Sequence, residues 1–290
     1  MIGNLRSRRT AELFAQAQRE LERRGLCILE AHATYDGRAF GDRVRHAVRE
    51  GHALVLAGGG DGSLTSIVGA FAHTQSVLGV LPFGTGNSFA RSLGIGPGLA
   101  GALEVILEGR VAEVDLGMVN DRYFANVATI GLSSAVARRT PNWLKKVFGP
   151  AAYVLAGLYP LLRSKSFEAA IATEDKRLCV RTHQVVIANG RYFGLTPLLP
   201  AATLVDGKLA FYATRGLNRW EVARMFFALG CGAGTRLPDA EFFSAASIDV
   251  DAQPPQYLDA DGEALGRTPA RFSVARRALK VMVPHDFTGT

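Results

Sequence analysis

The chain has 290 residues, of which 48% are hydrophobic and 20% charged. That composition excludes a disordered chain, and the length is comfortable for two domains. The formal net charge is +7 and comes almost entirely from arginine, since lysine occurs only at Lys145, Lys146, Lys165, Lys176, Lys208 and Lys280. Such a balance attracts nucleic acid, anionic lipid headgroups or phosphorylated ligands, or is simply a solvated basic surface; charge alone does not choose between these.

In chain order, residues 10–24 read as a helix. Residues 39–50 read as a second, with Phe40, Val44 and Val48 four apart on one face. His52 to Ala57 is an apolar run ending in glycines, the pattern of a buried strand. Leu64, Ile67, Val68 and Phe71 follow at helical spacing. Val77 to Leu81 is another buried strand running into a glycine loop, and Leu99 to Leu107 reads as a helix stopped near Gly109. Strand and helix in alternation predict a parallel sheet with helices on its faces.

Past Val111 the pattern changes. Short runs at 112–119, 122–130, 167–173, 179–189, 208–214, 245–250 and 271–283 read as strands, and helical patterns occur only around 143–163 and 218–229. The expected fold is therefore an α/β nucleotide-binding domain with a parallel sheet over 1–111. A predominantly β, sandwich-like acceptor domain follows over 112–290, with its C-terminal strands free to return to the first domain. Two such domains leave a cleft between them, a common place for a ligand.

Val147 to Leu162 is apolar but 16 residues long and interrupted by Pro150 and Pro160, shorter than the roughly 20 residues a spanning helix needs. It reads either as a buried helix or as a surface helix touching lipid between Lys145, Lys146, Arg163 and Lys165. Arg6, Arg8 and Arg9 are followed by polar residues and not by the apolar core of a signal peptide. Cys27, Cys179 and Cys231 lie far apart with no metal-ligand spacing, which suits a reducing cytosol.

The run LVLAGGGDGSLTSIVGAF carries the most chemistry. A buried strand enters it and a helix is expected to leave near Ser63. Glycines let backbone N–H groups approach an anion, and the helix start adds partial positive charge, so the run reads as a phosphate site at the carboxyl end of a strand. It is not a Walker A loop, because no lysine occurs between residues 50 and 120. As a dinucleotide loop it has Ser63 where the third glycine belongs, and no acidic residue occurs from 62 to 103. Phosphate charge must then be offset by backbone dipoles, by Mg²⁺ or by arginines from elsewhere. The second strand ends similarly in PFGTGNSFARSLGI. There Gly84-Thr85-Gly86-Asn87 makes a turn, Thr85 offers a hydroxyl, and Ser88 is placed to cap the next helix.

GGDG followed by a hydroxyl residue, with G[ST]xN about 25 residues later, resembles the diacylglycerol kinase catalytic superfamily, which includes bacterial lipid kinases, sphingosine kinases and ceramide kinases. AEVDLGMVNDRYFANVATIGLSSAV is similar to that family's inter-domain segment. VVIANGRYFGLTPLLPAATLVDGKLAFY resembles its N-G…P-x-A-x-x-x-D-G-x-L segment, and YLDADGEAL carries its D-G-E. GGDG alone also resembles NAD kinase, but the later motifs favour the lipid-kinase side.

The resemblance implies ATP and Mg²⁺ as cofactors and a hydroxylated lipid as acceptor. The nucleotide would be held by Thr34, Gly59, Gly60, Asp61, Gly62, Ser63, Leu64, Thr65, Ser66, Gly84, Thr85, Gly86 and Asn87. Asp61 either organises Mg²⁺–ATP or caps a backbone amide. Glu263 matches the family's general base, although Asp259, Asp261 and Glu263 taken alone read as a solvated acidic hairpin. Asp206, with the carbonyls of Thr203 and Lys208, matches a structural Mg²⁺ site; taken alone, Asp206-Gly207 is a turn. Expected partners are ATP, the lipid and an anionic membrane surface, not nucleic acid. The expected location is the cytoplasm, peripheral to the inner face of the cell membrane.

Three departures stand out. Ser66 occupies the family's usual glutamate position after the first loop. Ser88 stands where many bacterial members have aspartate. The N-terminal IGNLRSRR lacks the proline of N-P-x-S-G. These departures motivate an alternative, a pseudokinase or lipid-binding module of the same fold; an NAD kinase-like enzyme is a further one.

Overall fold

The computed structural model describes residues 1–5, 7–132, 165–193, 196–197, 202–215 and 240–289. The apolar segment at 147–162, both helical patterns beyond residue 111 and Cys231 lie outside them. Cys27 and Cys179 are free and exposed.

The first unit alternates β1 (Ile2–Asn4), α1 (Arg8–Arg23), β2 (His32–Thr34), α2 (Gly37–Arg49), β3 (Leu54–Gly59), α3 (Asp61–Thr65), α4 (Val68–Phe71), β4 (Val77–Pro82), α5 (Ser88–Ser92) and α6 (Gly98–Glu108). Its strands are parallel in the order β2-β1-β3-β4. Ser7 caps α1 in a reciprocal pair with Thr10, and the helix buries Phe14, Ala17 and Leu21 at the spacing of one face. Gly3 is where α1 meets the sheet: a Cβ there would stand 2.4 Å from the Phe14 ring.

The helix expected after the first glycine loop is broken into the short pieces α3 and α4. Thr65 Oγ1 donates to the Asp61 carbonyl and Ser66 Oγ to the Ser63 carbonyl. Such back-bonding competes with helix propagation. Little helix dipole therefore remains to aim at a phosphate, and the loop's own N–H groups must do that work.

The second unit contains β5 (Arg110–Val119), β6 (Arg122–Phe124), β7 (Val127–Gly131), β8 (Phe167–Ala172), β9 (Arg177–Thr182) and β10 (Gln184–Ala188). The small pair β11 (Tyr192–Phe193) and β12 (Thr196–Pro197) follows. Next come β13 (Leu209–Thr214), β14 (Ala240–Ala245), β15 (Ser247–Gln253), β16 (Tyr257–Ala260), β17 (Glu263–Arg267) and β18 (Ala270–Val283). One antiparallel sheet runs β14-β13-β10-β7-β16-β17. The other continues the first unit's sheet through β18 into β15-β8-β9, with β5 also on β18 and β6 on β5. The inward faces of both, including Ile130, Phe211 and Leu258 from one and Phe167, Ile248 and Phe272 from the other, share one core. This is a β-sandwich, so an α/β unit with a parallel sheet followed by a β-sandwich is what the chain builds.

Runs read as single strands are divided where the chain changes sheets. The run 179–189 breaks at His183 between β9 and β10, and β14 and β15 part at Ala246. The run 122–130 breaks at Ala125–Asn126, whose N–H groups are drawn to Asp261 instead of a neighbouring strand. The long β18 joins the units: Ala270–Val250 and Phe272–Ile248 pair antiparallel in the sandwich, whereas Val281 pairs in parallel with Leu78 of β4.

Candidate active site

Strand order reverses between β1 and β3, and open α/β sheets bind ligands at the carboxyl ends of strands beside such a switch point. Asn4 ends one strand and Gly59 the other. Asn4 is buried and donates from Nδ2 to Ser63 Oγ at 2.8 Å, tying the two strand ends together. The sequence signal for Asn4 was there, in N-x-x-S at the start of α1, but the missing proline hid it.

The two glycine loops touch. A Cβ on Gly84 would lie 2.9 Å from the Gly60 α-carbon, and one on Gly86 would lie 2.8 Å from Asp61 Oδ2. Around Gly62, by contrast, a Cβ would meet nothing within 4 Å. The first loop is therefore crowded toward the second and open on its outer side, as a phosphate cradle must be.

The Asp61 carboxylate joins the loops. It accepts the N–H of Phe89 at 3.3 Å, together with the amides of Asn87 and Ser88. It thus caps the first turn of α5 from the neighbouring loop, a role expected of Ser88, which instead lies buried as the first residue of that helix. Burial raises the Asp61 pKa, while those amides and Arg91 pull it down. Asn87 adopts a left-handed conformation, φ 49°. Its amide clamps Gly84 by accepting from the Gly84 N–H at 3.0 Å and donating to its carbonyl at 2.9 Å.

The other expected nucleotide contacts are placed unevenly. Gly59, Gly60, Gly62, Ser63, Gly84, Thr85 and Gly86 line the two loops, and Thr85 is exposed. Leu64 and Thr65 turn their side chains into the core, so only their backbone is offered. Ser66 is exposed with its hydroxyl bonded back to Ser63. Thr34 ends β2 and closes a local turn with Asp36.

A cavity of about 280 Å³ adjoins the second loop, bounded by Gly84, Thr85, Asn87, Arg9, Leu13 and Arg91. Arg91 is anchored there by donating from Nε to the Gly86 carbonyl at 2.9 Å. No periodicity marks these two arginines among the many others in the chain. A broader depression of about 750 Å³ lies on the outer face of the sandwich near Cys179, Asp249 and Arg271. It contains none of the motif residues.

From the sandwich, the β16–β17 hairpin reaches the same place. Asp261 and Gly262 form its two-residue turn with φ 50° and 88°, the pairing favoured by an Asp-Gly hairpin. The Asp261 carboxylate accepts the N–H groups of Ala125 at 2.6 Å and of Asn126 and Val127 at 3.1 Å. Part of the residue's surface reaches solvent, but the carboxylate itself is enclosed. Burial pushes its pKa up to about 6 against the pull of the three amides, and the charge of Asp61 adds to the rise. The hairpin turn therefore lies within electrostatic range of the first glycine loop. Glu263 starts β17 opposite Ala260 and is exposed. Nearby, the buried Asn189 donates to the carbonyls of Asp115 and Ala125.

Within the Thr203–Lys208 segment, Leu204 is buried in the first unit's core. Asp206 is exposed and accepts the Lys208 N–H at 3.0 Å. Among the described residues, no group of three or more His, Cys, Asp or Glu side chains could hold a metal ion. No helix among them is long and apolar enough to cross a membrane.

A parallel sheet with paired glycine loops at its switch point is thus joined to a β-sandwich that carries an acidic hairpin. Comparison with known proteins identifies the family. Residues 2–119 match the model of the diacylglycerol kinase catalytic domain. Residues 126–283 match the YegS C-terminal NAD kinase beta sandwich-like domain. A diacylglycerol kinase of Staphylococcus aureus (strain Newman) is 32% identical over 243 residues, covering 83% of this chain and 77% of that protein. One from Staphylococcus saprophyticus is 29% identical over 260 residues, covering 88% and 85%. A solved structure of a diacylglycerol kinase from Bacillus anthracis str. Sterne superposes with TM-score 0.68 at 19% identity, covering 93% of this chain and 88% of the other. The chain belongs to the diacylglycerol kinase family and is a lipid kinase, a phosphotransferase.

Proposed function

We propose that this kinase transfers the γ-phosphoryl group of ATP to a hydroxyl of a membrane lipid, diacylglycerol being the first acceptor to test because its relatives bear that name. What supports the proposal is the contact of the loop at Gly59–Ser63 with the loop at Gly84–Asn87, together with the presence of the Asp261 carboxylate within electrostatic range of Asp61. Phosphoryl transfer needs positioned phosphates, neutralised charge and an acceptor for the hydroxyl proton. The open side of the loop at Gly62 lets backbone N–H groups cradle phosphates. Mg²⁺ bound with the nucleotide would neutralise the charge developing on the transferred group. Asp61 is the carboxylate of the first loop, although its engagement with α5 leaves it mainly a loop-positioning role. Glu263, exposed at the start of β17, takes the proton from the lipid hydroxyl. In this reading residues 1–111 hold nucleotide, and residues 112–290 hold lipid and return β18 to the first sheet. The protein works in the cytoplasm against an anionic membrane surface.

Purified protein incubated with labelled ATP, Mg²⁺ and a panel of diacylglycerol, sphingoid base and ceramide in mixed micelles tests this directly. Label should appear in one lipid class. Binding of ATP with no lipid labelled, or labelling of NAD instead, would overturn the proposal.

Arg9 and Arg91 supply the positive charge that a loop without lysine lacks. Arg91→Ala is expected to weaken ATP binding about tenfold, the loss of a charge-assisted contact of about 1.5 kcal/mol. It should affect adenosine much less. Calorimetry with both ligands measures the difference, and equal effects on the two would remove Arg91 from the phosphate site.

A further inference from the structure

The turn at Asp206-Gly207 is held by direct protein bonds. Asp115, buried beneath it, donates its N–H to the Leu204 carbonyl at 2.7 Å. Its carboxylate accepts the Gly207 N–H through Oδ2 and the Arg277 N–H through Oδ1, each at 2.7 Å. Leu204 N–H donates to the Gly289 carbonyl at 2.9 Å. One oxygen of Asp206 is already committed to Lys208 N–H.

A cation already lies on this turn. A Cβ on Gly207 would stand 2.3 Å from Arg276 Nε and 2.6 Å from both its Cζ and one terminal nitrogen. The Nε edge of the guanidinium therefore lies against the glycine. Gly207 is thus required twice, for its φ of 69° and as the seat of the guanidinium. Arg276 is delivered by the irregular stretch of β18 between Ala275 and Leu279, where Arg277 takes φ 49°.

The structural Mg²⁺ implied for Asp206 and the carbonyls of Thr203 and Lys208 does not fit these residues. The ion would stand against a like charge already seated on the turn, with one of the two Asp206 oxygens taken. We propose that Arg276 is the resident cation of this turn and takes the place of a structural metal, so that the 202–208 segment closes on Asp115 without one. A planar, permanently charged group suits such a post better than an ammonium.

The test uses the full chain without nucleotide, so its result is independent of the kinase reading. Wild-type protein should contain far less than one metal ion per chain after dialysis, and should unfold at the same temperature in EDTA as in millimolar Mg²⁺. Arg276→Gln should lower the unfolding temperature by about 3 °C or more, and Mg²⁺ should then raise it again. Arg276→Lys, which keeps the charge, should remain indifferent to metal. A stoichiometric ion in the wild type that Asp206→Ala removes would overturn the proposal. So would a wild-type unfolding temperature that falls in EDTA, or an Arg276→Gln protein as stable as wild type. If Arg276→Gln does not fold, the metal content of the wild type decides alone.

Discussion

Glu263→Gln is expected to lower the rate of lipid phosphorylation by about 10²–10⁴-fold, the usual contribution of a positioned proton acceptor. Glutamine keeps the size and loses the basic oxygen. Because Glu263 is exposed at the first position of β17, its replacement leaves no buried group unpaired, and stability should change by less than about 0.5 kcal/mol. ATP affinity should also stay within about twofold, since nucleotide binding is assigned to the two glycine loops. Turnover of labelled ATP on lipid micelles, read beside calorimetry and thermal unfolding, separates these effects. An unchanged turnover would remove Glu263 as the base. A parallel loss of ATP binding would place it in the nucleotide site instead.

Asp261→Ala is expected to cost about 3 kcal/mol of stability. One part is the αL conformation, which aspartate tolerates better than alanine, at about 1 kcal/mol. The rest comes from the amides of Ala125, Asn126 and Val127, which lose their acceptor at about 1–3 kcal/mol for an unsatisfied donor. A loss below about 1 kcal/mol would show that water takes the place of the carboxylate.

The titration of Asp261 gives a second readout. Its pKa rises on folding from 3.8 to about 6, so the folded state holds a proton that the unfolded state releases. The stability this contributes is full below 3.8 and is lost as pH rises through about 6, a change of about 3 kcal/mol at most. Asp261→Asn cannot titrate. The stability difference between wild type and Asp261→Asn should therefore shift against the wild type between pH 4 and 7. A flat difference over that window would show that the three amides hold the carboxylate ionised throughout.

The sequence exposed some of this site and hid the rest for physical reasons. Gly58 to Ser63 was readable because a buried strand runs straight into glycines, and Gly84 to Asn87 for the same reason. That Asp61 spends its carboxylate on amides at 87–89 was not readable, because no pattern links one loop's side chain to another loop's backbone. β1 and β2, three residues each, are too short for any periodicity to declare them. The sheet changes at His183 and Ala246 were hidden because β-forming residues continue through them. Arg9, Arg91 and Arg276 were indistinguishable from the chain's other arginines, and only their neighbours in space tell them apart.

The passage of β18 through both units has a mechanical side. Many two-domain enzymes open and shut on a flexible linker. Here one strand, β18, lies in the hydrogen-bonded fabric of each half, paired with β4 at one end and with β15 at the other. The halves cannot swing apart freely without tearing that fabric. Along β5 the pairing of β18 shifts register only between Ala275 and Leu279, the kind of place where bulges bend a strand. Arg276 and Arg277 sit on that stretch, so the residues that anchor the Asp206-Gly207 turn belong to the strand that ties the two units together.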